Sequence, residues 1–240
     1  MITNITTDAS AEETFYKISI MNDSEFNATN TEFSSITDPL IYIGSSKVNF
    51  EEAVTLKDLS NPREQNPMIY VSSSTYNVMN TLFQNLKSEK YMALQLVADS
   101  QVTISKSRIE NFDKPFLSLE DGTLKVSHTV IKDGIMSPIE GDPSDPNSEV
   151  FYGYANSMGF IAISSNADFD NVTMSNLQTQ HSAAAIYIEN DATSTTQMNL
   201  KIKGSNFKWN WAKLGSGVVQ SLNVHTDISS TTFEGNVAYT

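Results

Sequence analysis

Chemistry in this chain would have to come from its carboxylates, since it has 28 acidic residues, three histidines and no cysteine. The acidic residues gather at Glu120-Asp121, Asp168 with Asp170, Glu189 with Asp191, and Glu140, Asp142, Asp145 and Glu149. Paired carboxylates can cleave a glycosidic bond when they stand on either side of it, and a base beside carboxylate-held calcium can eliminate across a uronic acid. Neither arrangement is visible in the spacing. The segment 140–149 lacks the DxDxDG order of a dedicated calcium loop, which leaves weak calcium binding as its most specific reading. His128, His181 and His225 form no HxH or HExxH pair, so no zinc site is expected, and no GxSxG elbow presents a serine nucleophile. No motif calls for a cofactor. The bland reading of these acids is solvated loop charge.

Aromatic residues offer a second kind of chemistry, the stacking of a ring on a sugar or a partner protein. In LIYI (40–43) and MIYV (68–71), inward Ile41, Ile43, Ile69 and Val71 turn Tyr42 and Tyr70 outward, side by side in successive units; the same alternation exposes Tyr187 in AIYI. Stacked rings also stabilise sheets with no ligand present. In FKWN (207–210), inward Phe207 and Asn210 leave Trp209 and Trp211 pointing away from the core. Outward indoles call for a covering loop, a partner chain or a sugar. Trp209, Trp211, Tyr42 and Tyr70 are the candidate ligand-binding residues, with a glycan or a partner-protein surface as the ligand.

The elements that hold these residues recur. Phe33, Leu56, Phe83, Ile109, Ile131, Met174, Phe207 and Phe233 punctuate the chain at steps of 23, 27, 26, 22, 43, 33 and 26 residues. After each comes a short apolar run such as LIYI, MIYV, LQL, FLSL or FIAI, and each unit also holds an alternating segment such as EFNAT, TYNVM, QVTIS or TLKVS. Period-two alternation marks strands, and helical spacing is absent. A unit of about two dozen residues with three short strands cannot bury its inner face alone, whereas stacked units can. The units lack the LxxLxLxxN pattern of leucine-rich repeats, and a β-sandwich does not require this similarity between units. The expected fold is therefore all-β: one right-handed parallel β-helix over 1–240, of about eight coils with three short strands each. The long step places a projecting insertion at about 133–159, where Pro138, Pro143 and Pro146 interrupt any ladder, and a smaller bulge at 190–198.

Once the units are aligned, FKWN at 207–210 and FEGN at 233–236 resemble the Phe-x-x-Asn of polymorphic outer membrane protein repeats, and GSGVV is close to their Gly-Gly-Ala-Ile partner. Earlier units carry Ile36, Leu59, Leu86 and Phe112 in place of the Asn. These repeats resemble large surface proteins of ciliates and belong with the pectin-lyase-like right-handed β-helices. The resemblance implies an adhesive or structural array without catalytic residues, at the cell surface or secreted. In physical terms, Phe stacks on its equivalent in the next coil, while Asn210 and Asn236 replace backbone hydrogen bonds at a turn and ladder with each other.

Bulk properties narrow the partners. A net charge of −13 argues against nucleic acid and anionic membrane surfaces, which basic patches capture. No run approaches the ~20 apolar residues of a spanning helix, so no membrane insertion is expected within the segment. The start MITNITTDASAEETF does not read as a signal peptide. Thr240 falls before the strand that would complete its unit, so further repeats of a longer parent chain are expected. Asn4-Ile-Thr, Asn22-Asp-Ser, Asn27-Ala-Thr and Asn171-Val-Thr are acceptor sequons in a eukaryotic secretory route. The alternatives are a polysaccharide lyase or glycoside hydrolase on the same fold, and a trimeric tailspike segment. Of the polygalacturonase patterns (Asn-Thr-Asp, Asp-Asp, Gly-His-Gly, Arg-Ile-Lys) the chain has none.

Overall fold

Alternating apolar residues make strands that need a neighbour on each edge, and here every neighbour is the equivalent strand of the next coil. The computed structural model describes residues 16–62, 66–88, 92–136, 157–180, 182–213 and 215–239. One coil runs through strands Ile69–Ser72, Thr75–Met79 and Thr81–Ser88, then returns to Leu94–Val97 one layer up. Ile69 pairs with Leu94, Tyr76 with Val102 and Phe83 with Ile109, all in parallel. Repetition gives three sheets of eight strands and a short fourth sheet of Gln178–Thr179, Trp211–Ala212 and Val237–Ala238. The chain is a right-handed parallel β-helix with about the expected number of coils, the hand that parallel crossovers favour.

The punctuating residues form one column of the core. Phe33, Leu56, Phe83, Ile109, Ile131, Met174 and Phe207 are each at most 1% exposed and sit in register along the third sheet. Burying such side chains contributes about 1.5–3 kcal/mol apiece. Phe207 and Phe233 stack with centroids 5.2 Å apart and planes 9° apart, as the repeat requires. Ile36, Leu59, Leu86 and Phe112 are buried beside this column.

Small hydroxyl side chains hold the corners. Between the first and second sheets, Ser46 accepts the Ser24 N–H, Ser74 accepts that of Ser46, and Ser100 accepts that of Ser74. Between the second and third sheets, Ser107 Oγ accepts the Thr81 N–H at 3.2 Å and donates to Ser105 O at 2.7 Å. Thr129 and Ser205 repeat that double role for Ser107 and Val172. Each hydroxyl satisfies a backbone group that the bend would leave unpaired.

Two residues past each punctuating residue, the backbone turns left-handed, at Ser35, Asp58, Asn85, Asn111, Asp133, Asn176, Trp209 and Gly235, with φ between 53° and 62°. Asn and Asp tolerate this conformation best after Gly. Their side chains form an outer amide ladder: Asn85 donates to Asp58 at 2.7 Å, Asn111 to Asn85 at 3.1 Å, and Asn176 to Asp133 at 2.9 Å.

The expected insertion at about 133–159 falls mostly outside the described residues, and its two ends are held in the stack. Gly134 still pairs with Phe112, and Met158 O accepts the Phe116 N–H; residues 137–156 lie outside the described ones. The bulge after Asn190 is a loop in which Asp191 Oδ1 accepts both the N–H and the hydroxyl of Thr193.

Candidate functional site

The fold scatters most of the acidic candidates. Asp168 and Asp170 lie on the second sheet in register with Lys201 and Lys203. Glu120 ends a strand of the first sheet and Asp121 turns the corner after it. Glu189 accepts a 2.5 Å hydrogen bond from the Tyr187 hydroxyl. Among the described residues no three of His, Cys, Asp and Glu converge to hold a metal. Glu140, Asp142, Asp145, Glu149 and His181 lie outside the described residues.

One carboxylate is the hub of a polar network. Glu110 accepts from Gln84 Nε2 at 2.7 Å and Arg108 Nε at 2.6 Å, with Lys132 Nζ at 3.6 Å. Burial pushes the Glu110 carboxyl up, but the hydrogen bond and charge of Arg108, with Lys132 and Gln84, hold it below its ordinary value. Lys132 also pairs with Asp133 at 3.0 Å. The bond from Asn176 is the largest influence on Asp133 and holds it low.

Beside this network, the left-handed corner borders a groove of about 640 Å³ lined by Asp58, Asn85, Lys87, Asn111, Asp113 and Asp133. Burial raises Asp113, whose carboxylate accepts the Ser88 N–H at 2.9 Å. Its neighbour on the groove wall, Asp133, is shifted the other way. This contrast was not read from the sequence. Its signal was present as the Asp or Asn two positions after Leu56, Phe83, Ile109, Ile131 and Met174.

Tyr42 and Tyr70 stack side by side, with centroids 5.5 Å apart and planes 12° apart, and Tyr16 extends the row at 5.7 Å from Tyr42. Both are half-buried. Tyr187 departs from the expected exposure: it is 6% exposed and clusters with Ile161, Ala183 and Ile163 on the outer side of the first sheet. Period-two alternation fixes which face a residue takes and says nothing of what lies over that face.

Asn210 is fully buried, and the indoles on either side of it turn outward as expected. Trp211 is half-buried with its ring edge against Tyr239 at 5.8 Å. Trp209 is 62% exposed and occupies the left-handed corner. For a bulky side chain this conformation costs about 1–2 kcal/mol. Gly235, the corner residue of the next coil, has no Cβ, and one placed there would lie 2.3 Å from Trp209 Cε3. The indole therefore rests on the bare backbone of Gly235. The structure brings Trp209 and Trp211 to one end of the helix and Tyr42 and Tyr70 to the other.

The comparisons with known proteins add little beyond this geometry. No family model matches the chain, and no curated protein matches it. A solved pectate lyase, Pel9A, is similar over 84% of this chain and 64% of its own, at 10% identity and a TM-score of 0.30. The parallel β-helix assignment stands on the strand pairing itself.

Proposed function

We propose that this chain is a non-catalytic β-helix segment of a cell-surface or secreted protein, serving adhesion or structure as a rigid rod. The observation that carries the reading is that, among the described residues, the polar side chains at the corners and along the outer ladder bond from one coil to the next. Ser46, Ser74, Ser100, Ser107, Thr129 and Ser205 bond to backbone at the corners. Asn85, Asn111 and Asn176 bond along the outer ladder, and Glu110 is surrounded by Arg108, Lys132 and Gln84. A solenoid of this kind gains stability from each added interface and presents long, regular faces. The resemblance of FKWN and FEGN to polymorphic outer membrane protein repeats supports the surface location, and the sequons at Asn22, Asn27 and Asn171 suit a secreted chain.

Two measurements test the reading. Incubation with acidic polysaccharides, with and without calcium, is expected to release no unsaturated or reducing product; sustained release would replace the proposal with a lyase or hydrolase. Antibody labelling of intact cells that make the protein is expected to be lost after mild external proteolysis, and labelling only in permeabilised cells would remove the surface assignment.

A further inference from the structure

Trp209 stands where stacking asks for something else. Seven other coils put Ser, Asp, Asn or Gly at this left-handed corner, and this one holds an indole there, mostly in solvent. A strained, exposed aromatic residue points to a use outside the fold. A second observation is independent of the strain: the next coil carries glycine at the same corner, and any Cβ there would strike the ring at Cε3 and Cζ3. The seat beneath the indole holds one face of the ring flat against backbone.

The surroundings select the ligand. One coil earlier, Asn176 occupies the same corner, and Gln178 pairs with Trp211. Gln178 Nε2 donates to Asn176 Oδ1 at 3.1 Å, and Asn176 Nδ2 donates to Asp133 at 2.9 Å. An amide nitrogen has two donors, so Asn176 keeps a second N–H after this bond. Lys208 and Glu234 form an ion pair at 2.9 Å just before the corner. A flat ring bordered by amides and a neutralised ion pair suits a ligand with an apolar face and hydroxyls on its edge. An apolar peptide anchor would call for a desolvated pocket, and a quaternary amine for rings on several sides. The acidic character of the whole chain, at −13, disfavours anionic ligands.

We propose that Trp209, seated on Gly235 and bordered by Asn176 and Gln178, is a stacking platform for a neutral pyranose unit of a glycan. The platform gives the adhesive reading a ligand class, yet it stands even if that reading fails, because it makes no use of the chemistry that a polysaccharide-cleavage assay measures.

The chain has two tryptophans, so fluorescence reads the site directly. In a Trp211→Phe background, titration with neutral hexasaccharides (β-1,4-glucan, β-1,3-glucan, mannan and chitin fragments) is expected to give a saturable change in Trp209 emission with at least one of them. Trp209→Asn installs the side chain that this corner carries at Asn85, Asn111 and Asn176. It is expected to keep Tm within about 3 °C and, by calorimetry on otherwise unaltered protein, to weaken binding at least about tenfold. Silence across the neutral panel, binding untouched in Trp209→Asn, binding confined to polygalacturonate, or capture of protein ligands alone would each overturn the platform.

Discussion

Asn210 and Asn236 are joined twice: the backbone N–H and the side-chain Nδ2 of Asn210 both donate to Asn236 Oδ1, at 3.0 and 2.9 Å. Asn210 Nδ2 also donates to Met174 O at 3.1 Å, and its Oδ1 accepts the Leu177 N–H at 3.1 Å. A buried amide thus replaces the backbone partners missing at this bend. Asn210→Ala would strand the Leu177 N–H and the Met174 carbonyl, at a cost of about 2–4 kcal/mol. Asn210→Asp keeps the acceptor but sets a buried carboxylate oxygen against Met174 O and Asn236 Oδ1, and is expected to cost at least as much as Asn210→Ala. Urea denaturation of the three proteins checks the order, and equal stability of all three would remove the amide from the account of this corner.

Tyr76 is fully buried, and its hydroxyl has no hydrogen-bond partner among the described residues. Its ring is well placed, edge-on to Phe50 at 5.4 Å, so only the oxygen is a burden. Tyr76→Phe keeps the ring, relieves the desolvation and is expected to raise stability by about 1–2 kcal/mol. For a chain of this size that corresponds to a Tm higher by roughly 2–8 °C. A lower Tm would mean that the hydroxyl is bonded after all.

Gly159 lies so close to the next coil that a Cβ there would come within 2.3 Å of Ala185 O. The obstacle is backbone, and it cannot swing aside as a long side chain would. Gly159→Ala is expected to cost about 1–3 kcal/mol, read as a lower urea midpoint with an unchanged slope. Gly44→Ala is the control, since a Cβ there meets only the Tyr42 ring, at 3.0 Å; its loss is expected to be smaller.

How far the sequence was legible follows from which residues the coils repeat. Phe33, Phe83, Phe207 and their equivalents recur because each must sit on the next, so the coil and its period could be read off directly. The column of Asp58, Asn85, Asn111 and Asn176 is equally periodic, but the Phe-x-x-Asn pattern points one residue further, to Leu59, Leu86 and Phe112, which are core. Asn210 and Asn236 occupy that core position, while the left-handed corner just before it falls to Trp209 and Gly235. Tyr187 departs from its expected exposure for a different reason, since its burial depends on what covers the sheet. The bends that border the groove carry that periodic Asp or Asn, whereas the burial of Asp113 beside them depends on how the coils close, which spacing does not encode.

Glu110 gives the stack a defined response to acid. Its carboxyl is held below the ordinary value, so the native state binds fewer protons than the unfolded chain between the two pKa values. The stabilisation is therefore complete above the unfolded value of about 4.3 and is lost as pH falls through the lower folded value. Asp133 has the same sign, through Asn176 and Lys132, and Asp113 the opposite, since burial raises it. Glu110→Gln removes the titrating charge while an amide still occupies the space between Gln84 and Arg108. At pH 7 this variant is expected to be less stable than wild type, because Arg108 and Lys132 lose their counter-charge. From pH 6 to pH 3 it is expected to lose less stability, so the two denaturation curves converge in acid. Parallel curves across that range would show that Glu110 does not carry the response.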